Sequence, residues 1–540
     1  PWLVLLPAPL LAFGLGGLFT LMGSMVADVV DVDELTTYER REGMFGSIFW
    51  WVVKLGMAAA LAGGGFLLNA TGFDVDSGGM QSERTIFLMR LFDAGIPMVT
   101  SAIAIWAIAR FPITEESAHE VRVELERRRG SAEAKAPELK NIAYQHAETM
   151  HRIIEEQNIE QKVDALLARM SLDQKIGQMT QTERLAISPE EVKAYHLGSV
   201  LSGGGSVPGE NTPADWVAMN DAYWVASMEE DDAHLAIPIL YGVDAIHGHN
   251  NVRGATVFPH NIGLGATGDP ELLERIAQVT ASEVRATGVE WTFAPTLAVA
   301  RNDHWGRTYE SYSEDPETVR VHGERFVRGL QGDLGTSNVV ACAKHWVGDG
   351  GTTDGIDQGD TAVSLAELQS THIAPYYGAL QAGVLTVMAS YNSWNGNKCH
   401  GHEYLLSDVL KSDLGFRGFV ISDWNGIDQL SDDFHEAVAL SVNAGIDMFM
   451  VPEKWKEFIA TLRDLVERGT VSMDRIDDAV RRILTVKFIA GLFDQPRPAE
   501  REFSNHSSFG SSEHRPQPFI PRGTHYHDDP LQDITVAVRV

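Results

Sequence analysis

A (β/α)8 barrel preceded by about three transmembrane helices is the fold class that the 540-residue sequence predicts. Three observations carry it. An uncharged apolar stretch opens the chain, two more follow before residue 112, and from about Asn158 to Phe493 strand-like apolar runs alternate with amphipathic helices. Near-continuous hydrophobic strands between amphipathic helices belong to a parallel sheet covered on both faces. The length and the strand count favour a closed barrel over a doubly wound sheet.

Taken in order, residues 2–27 carry no charge and are long enough to span a bilayer core. They lack the basic n-region and the cleavage site of a signal peptide, and the chain opens on Pro1, as a sequence cut from a longer frame would. A second span is expected from about Met44 to Phe73 and a third from Thr85 to Phe111. Arg40 and Arg41 fall in the first connection and Arg110 after the third span, against Asp74 and Asp76 in the second connection. The positive-inside rule then puts everything after the third span in the cytoplasm. Lys54 within the second span calls for a polar cavity or partner, and Asp28, Asp31, Asp33 and Glu34 crowd the end of the first. Residues 113–157 are highly charged and read as a solvated helix and linker.

The barrel is expected over 158–495, with strands in the runs 198–204, 237–248, 289–300, 338–346, 385–392, 418–424 and 445–451. Asp269 caps a helix opened by Pro270 and ended by Gly288, and Ser472 opens the last helix. Residues 496–540 lack any amphipathic period and read as an irregular tail.

Composition narrows the function. With 43 Lys+Arg against 74 Asp+Glu, a net charge of −31, the surface repels a phosphate backbone, so nucleic acid is not an expected partner. Cys342 and Cys399 make neither a disulfide scaffold nor a metal-ligand spacing. No GxGxxG follows a strand and no GxxxxGK[ST] occurs, so no nucleotide cofactor is expected, nor any other cofactor.

Polar residues gather instead where strands end: Asp244 and His247, then Arg307, Lys344 with His345, Tyr391, and Asp423 with Trp424. A barrel does its chemistry on that rim. Carboxylate, guanidinium and ammonium groups bind vicinal hydroxyls, Trp or Tyr stacks on the C–H face of a sugar, and a carboxylate beside the anomeric carbon serves as nucleophile.

Two stretches resemble known families. ADVVDVDELTTYERREGMFGSIFWWVVKLG, within residues 1–112, resembles the late helices of the glycoside-pentoside-hexuronide:cation symporters, the melibiose-permease-like carriers. Such carriers need two repeats around a midplane site, so three helices imply an anchor and not a carrier. YGVDAIHGHNNVRGATVFPHNIGLGAT, FAPTLAVARNDHWGRTYESYSEDP, ACAKHWVGDGGTTDGIDQGD, VMASYNSWNG and GFRGFVISDWNGIDQL resemble the N-terminal barrel of glycoside hydrolase family 3, over about 158–512. That resemblance implies β-glucosidase-type retaining hydrolysis with Asp423 as nucleophile. It further implies Asp244, Arg307, Lys344 and His345 on the glucosyl hydroxyls, with Met388, Tyr391 and Trp424 lining the pocket. The expected partner is a β-glucoside or β-linked oligosaccharide.

Two-domain members take their general acid/base from a following domain, and the match fades near FSNHSSFGSSEHR. Single-domain members use a loop histidine that KHWVGDGGTTDGIDQGD lacks. The acid/base is therefore left unassigned, with Glu310, Asp354 and Asp357 as the carboxylates to try first, although Glu310 and Glu314 suit structural pairing better. The rival readings are a sugar-binding barrel without turnover, a defective transporter–hydrolase fusion, and a metal-dependent amidohydrolase using His247, His249, Lys344 and Asp423.

Overall fold

The computed structural model describes residues 42–74, 81–108 and 150–515, plus isolated positions between 22 and 148. The first expected span, the acidic cluster at its end and residues 516–540 lie outside these, apart from a few positions up to Val32. The chain forms two compact units, Pro1–Ala136 and Pro137–Val540.

In the first unit, helices Glu42–Ala70 and Glu83–Ile108 take the places of the second and third expected spans. Both are long and apolar enough to cross a membrane, over Trp51–Ala70 and Glu83–Ile108. Trp51, Phe66, Met98 and Trp106 stand exposed on them, as lipid-facing side chains do. Lys54 is exposed as well.

In the second unit one sheet holds eight strands, in chain order β1 Thr180–Glu183, β2 Ser199–Ser202, β3 Leu240–Val243, β4 Trp291–Thr292, β5 Val340–Trp346, β6 Thr386–Ala389, β7 Phe419–Ile421 and β8 Phe449–Met450, beside a small sheet of Asp360–Thr361, Ser393–Trp394 and Asn397–Lys398. Each pairs in parallel with its neighbour from β1 to β7, and β8 pairs with β1. A parallel bridge between Ile421 and Met448 joins β7 to β8 and closes the barrel.

Helices return the chain between strands, and four of them open alike: Ser188, Thr212, Asp269 and Asp315 each cap a helix whose first residue is proline. The interior is filled by Trp291, packed against Phe293 at 4.8 Å and Phe419 at 5.4 Å. Its indole N–H donates to Thr386 Oγ1 at 2.9 Å, so the one polar atom of that ring is satisfied inside the core.

Strand β1 corrects the sequence reading, which has no strand before residue 198. Its residues, Thr180, Gln181, Thr182 and Glu183, are polar, yet all four are buried. Internal partners replace water: Thr180 Oγ1 donates to Ile176 O at 2.8 Å, Gln181 Nε2 to Ser199 Oγ at 2.7 Å and Thr182 Oγ1 to Pro452 O at 2.7 Å. Beyond the last barrel helix, residues 497–514 have no long element but are tied down, with Asn505 N–H on Ala286 O at 2.8 Å and His514 Nδ1 at 2.8 Å from Glu283 Oε1.

Candidate active site

The C-terminal ends of β3, β5 and β7, with the loop after β4, bring together Asp244, Arg307, Lys344, His345 and Asp423. Lys344 and His345 are consecutive, and alternation along a strand would point them to opposite faces. The β5–β6 register shifts between Ala343 and Trp346, and this irregularity turns both into the site. Lys344 Nζ donates to Asp244 Oδ1 at 2.7 Å; the lysine is buried while the Asp244 side chain is 43% exposed. Burial works against the ammonium, but the charges of Asp244 and Glu310 outweigh it and hold Lys344 protonated above its usual range.

Arg307 forks onto Glu310, Nε to Oε1 at 2.8 Å and Nη2 to Oε2 at 2.9 Å. Burial pushes the Glu310 carboxyl up, and the Arg307 fork more than reverses this, leaving it below its usual range. Both Glu310 oxygens are committed to Arg307. The same Nη2 reaches His345 Nε2 at 3.0 Å. A guanidinium can only donate, so Nε2 accepts and the ring proton sits on Nδ1, which donates to Asp349 Oδ2 at 2.8 Å. Burial, with Arg307 and Lys344 nearby, pushes the His345 imidazole far below its usual range, which keeps this neutral form. Burial lifts the Asp349 carboxyl to about 7.

Asp423 follows β7. Its Oδ1 accepts the Trp424 N–H at 2.7 Å, and its Oδ2, 3.7 Å from His345 Nε2, is buried without a hydrogen bond. Burial raises its pKa above the ordinary carboxylate value despite the opposing pull of Lys344 and Arg307. Two carboxylate oxygens of the cluster, Asp423 Oδ2 and Asp349 Oδ1, are thus buried without a hydrogen bond.

Tyr391 donates its hydroxyl to Trp424 O, fixing the backbone next to Asp423. A Cβ on Gly203, just past β2, would come within 2.9 Å of the Trp424 ring, so the indole lies directly against that glycine. Met388 is buried on β6, in register with Ile421.

His247 and His249 do not converge on Asp423. His249 is buried with Nε2 on Thr287 Oγ1 at 3.0 Å and its ring edge-on to Trp216, while the His247 ring lies tilted against His260 at 4.7 Å. Among the described residues no group of three His, Cys, Asp or Glu side chains is arranged to hold a metal ion. The amidohydrolase reading has no site.

Residues 171–486 match the glycosyl hydrolase family 3 N-terminal domain. The chain belongs to glycosyl hydrolase family 3. Residues 1–115 match the MFS/sugar transport protein family. Among family 3 relatives, a lysosomal beta glucosidase of Dictyostelium discoideum is 34% identical over 368 residues, 62% of this chain and 44% of that protein. A periplasmic beta-glucosidase of Salmonella typhimurium is 31% identical over 62% of this chain and 42% of its own length. The chain spans a little under half the length of these relatives. Among solved structures, the exo-1,3/1,4-beta-glucanase of a Pseudoalteromonas species is 46% identical with a TM-score of 0.65, covering 66% of this chain and 46% of its own. A mutant beta-glucosidase from Listeria innocua in complex with laminaribiose is 30% identical with a TM-score of 0.58, covering 66% of this chain and 50% of its own.

The site also holds residues that sequence reasoning passes over. Asp349, which fixes the His345 tautomer, lies in a Gly-Asp-Gly loop that reads as a turn. His400 accepts the Asp423 N–H at 2.9 Å, a contact to backbone that no side-chain motif announces.

Proposed function

We propose that the barrel cleaves terminal β-D-glucosyl units with retention of configuration, Asp423 attacking the anomeric carbon through Oδ2. The observation that supports this most is that free, desolvated oxygen at a strand end, ringed by Asp244, Lys344, Arg307 and His345. Those four groups hold the sugar hydroxyls, Trp424 offers the apolar platform, and Met388 and Tyr391 complete the pocket. Relatives named beta-glucosidase and a relative solved with laminaribiose point to the same substrate class. Arg307 and Lys344, both cationic beside Asp423, keep the carboxylate available as an anion.

Each carboxylate around Asp423 has a cationic or imidazole partner, Glu310 in Arg307, Asp244 in Lys344 and Asp349 in His345, and none is assigned as the general acid. Aryl glucosides whose phenolate departs unaided are therefore the preferred substrates of these residues acting alone, and azide accelerates the second step, since it needs no base. The testing experiment is intact-mass analysis after treatment with an activated 2-fluoroglucoside. One added sugar is expected on the wild type, and label persisting in Asp423→Ala overturns the assignment.

The N-terminal unit is proposed to anchor the barrel on the cytoplasmic side of a membrane, supported by two apolar helices and by Arg110 after the second of them. Cleavage of the barrel by external protease on intact cells overturns that orientation, and sugar uptake by vesicles containing this chain alone overturns the anchor role.

A further inference from the structure

Asp423 stands one residue beyond the ladder. Ser422 N–H donates to Met448 O at 2.9 Å and Met450 N–H to Ser422 Oγ at 2.8 Å, and the next backbone bond to this segment is Asn425 N–H to Met450 O at 3.2 Å, so Asp423 is passed over. The next amide, that of Asp423, has no strand to bond, and a buried N–H left unpaired is costly. His400 Nε2 takes it at 2.9 Å. The His400 ring is 1% exposed and also bonds the Ser390 backbone; with Nε2 accepting, Nδ1 carries the proton toward that carbonyl. Burial pushes this imidazole down to about 3, so it remains an acceptor wherever Asp423 is ionised.

The same connection between β6 and β7 supplies Tyr391, whose hydroxyl donates to Trp424 O. The Asp423–Trp424 backbone is thus gripped at an amide on one side and a carbonyl on the other. Space for the imidazole is made by Gly426, where a Cβ would stand 2.4 Å from Nε2 and 2.6 Å from Cε1. The carboxylate inherits this placement. Oδ1 is tied to the Trp424 N–H, so the direction of Oδ2 follows the backbone of these two residues.

We infer that His400 is a positioning residue for the nucleophile, holding Asp423 Oδ2 on line through the Asp423 amide. This rests on Asp423 being the nucleophile. A misplacement of about 1 Å at a reacting atom costs on the order of 100-fold in rate. Ground-state sugar binding by Asp244, Arg307 and Lys344 involves none of these contacts.

The test uses the full chain in detergent and follows labelling by 2,4-dinitrophenyl 2-fluoroglucoside, with glucose binding measured by calorimetry. His400→Ala is expected to label roughly 100-fold more slowly while glucose binds within about threefold of wild type. His400→Gln, whose Oε1 reaches where Nε2 stood, restores labelling to within about tenfold. Gly426→Ala expels the imidazole, so it slows labelling as His400→Ala does, and in the His400→Ala background it adds less than about twofold because the clash is gone. If His400→Ala does not fold by circular dichroism, His400→Gln and Gly426→Ala carry the comparison. Labelling of His400→Ala at the wild-type rate overturns the proposal, as does an equally slow His400→Gln with glucose binding intact. An unlabelled wild type overturns the nucleophile assignment and this proposal with it, whereas a labelled wild type with an unslowed His400→Ala overturns the proposal alone.

Discussion

Asp447 leads into β8 and Asp423 leaves β7, and the barrel buries both, with opposite results. Asp447 Oδ1 accepts from Lys411 at 2.7 Å and Arg475 at 2.5 Å, and Oδ2 accepts the Val420 N–H at 2.8 Å. Burial pushes its pKa up, but Lys411 and Arg475 more than reverse this, and it sits below the usual carboxylate range. Asp423, whose side chain keeps 13% exposure, has a buried oxygen with no hydrogen bond, and its pKa is raised. The charges around Asp447 are used up in holding the fold; the rim around Asp423 leaves two carboxylate oxygens, Asp423 Oδ2 and Asp349 Oδ1, unsatisfied. Unsatisfied buried groups are uncommon in native proteins and concentrate where function needs them.

The widest separation between the two aspartates is expected from removing each. Asp423→Ala should lower kcat by at least about 10,000-fold, the scale seen when one member of a catalytic unit is deleted. Its melting temperature should be unchanged or higher, because a desolvated carboxylate is lost. Asp447→Asn should do the reverse, costing about 3–5 kcal/mol by leaving Lys411 and Arg475 without their carboxylate, with kcat per folded molecule unchanged. Parallel kinetics and thermal melts decide this; a melting loss in Asp423→Ala as large as in Asp447→Asn breaks the comparison.

Next in size is Arg307→Ala. It removes the charge-assisted donor proposed for a sugar hydroxyl and leaves Glu310 buried without its fork. Isofagomine should bind about 10- to 100-fold more weakly by calorimetry, since hydrogen bonds to charged groups are worth about 1.5–3 kcal/mol. Unchanged binding would remove Arg307 from the glucosyl site.

How far these contrasts were legible in the sequence depends on where the information sits. Seven strands of the barrel announce themselves by apolar runs, and the rim residues Asp244, Arg307, Lys344, His345 and Asp423 stand at their ends. Strand β1 does not, because Thr180, Gln181, Thr182 and Glu183 are polar and, although buried on partners elsewhere in the fold, read as a loop. The boundaries of β4 also move: the apolar run 289–300 contains only Trp291–Thr292 as strand, the remainder being the loop that carries the chain toward Arg307. His400 was invisible for a further reason. Its role is to accept one backbone amide, and nothing in Lys-Cys-His-Gly distinguishes that from a histidine in a turn.

The pH dependence should separate activity from folding. Attack requires ionised Asp423, and its raised pKa means that kcat/KM falls at a higher pH than an ordinary aspartate would dictate, about tenfold per pH unit below that pKa. Asp447 has a lowered folded-state pKa, so its contribution to stability is complete above the unfolded value and is lost only as pH falls through the folded one. Activity should therefore vanish while circular dichroism still reports a folded barrel. Coincident loss of both would mean that the acid limb reports unfolding.

The smallest effect tests how finely the rim is shaped. Gly203 and Gly204 are neighbours in the loop after β2, but a Cβ at Gly203 would lie 2.9 Å from Cζ3 and 3.1 Å from Cη2 of Trp424, whereas one at Gly204 would meet nothing within 4 Å. The Trp424 backbone is held by Tyr391, so a methyl at 203 must be accommodated by tilting the indole, and the atoms it meets are the far edge of that ring. Tilting the platform weakens stacking on the sugar without moving Asp423 Oδ2. Gly203→Ala is accordingly expected to raise KM for an aryl glucoside about three- to tenfold, in keeping with the roughly 1 kcal/mol that one aromatic contact contributes, and to leave kcat within about twofold. Gly204→Ala should match the wild type in both constants. A kcat loss in Gly203→Ala comparable with that of His400→Ala would place Trp424 in the alignment of the nucleophile and not only in the floor of the sugar pocket.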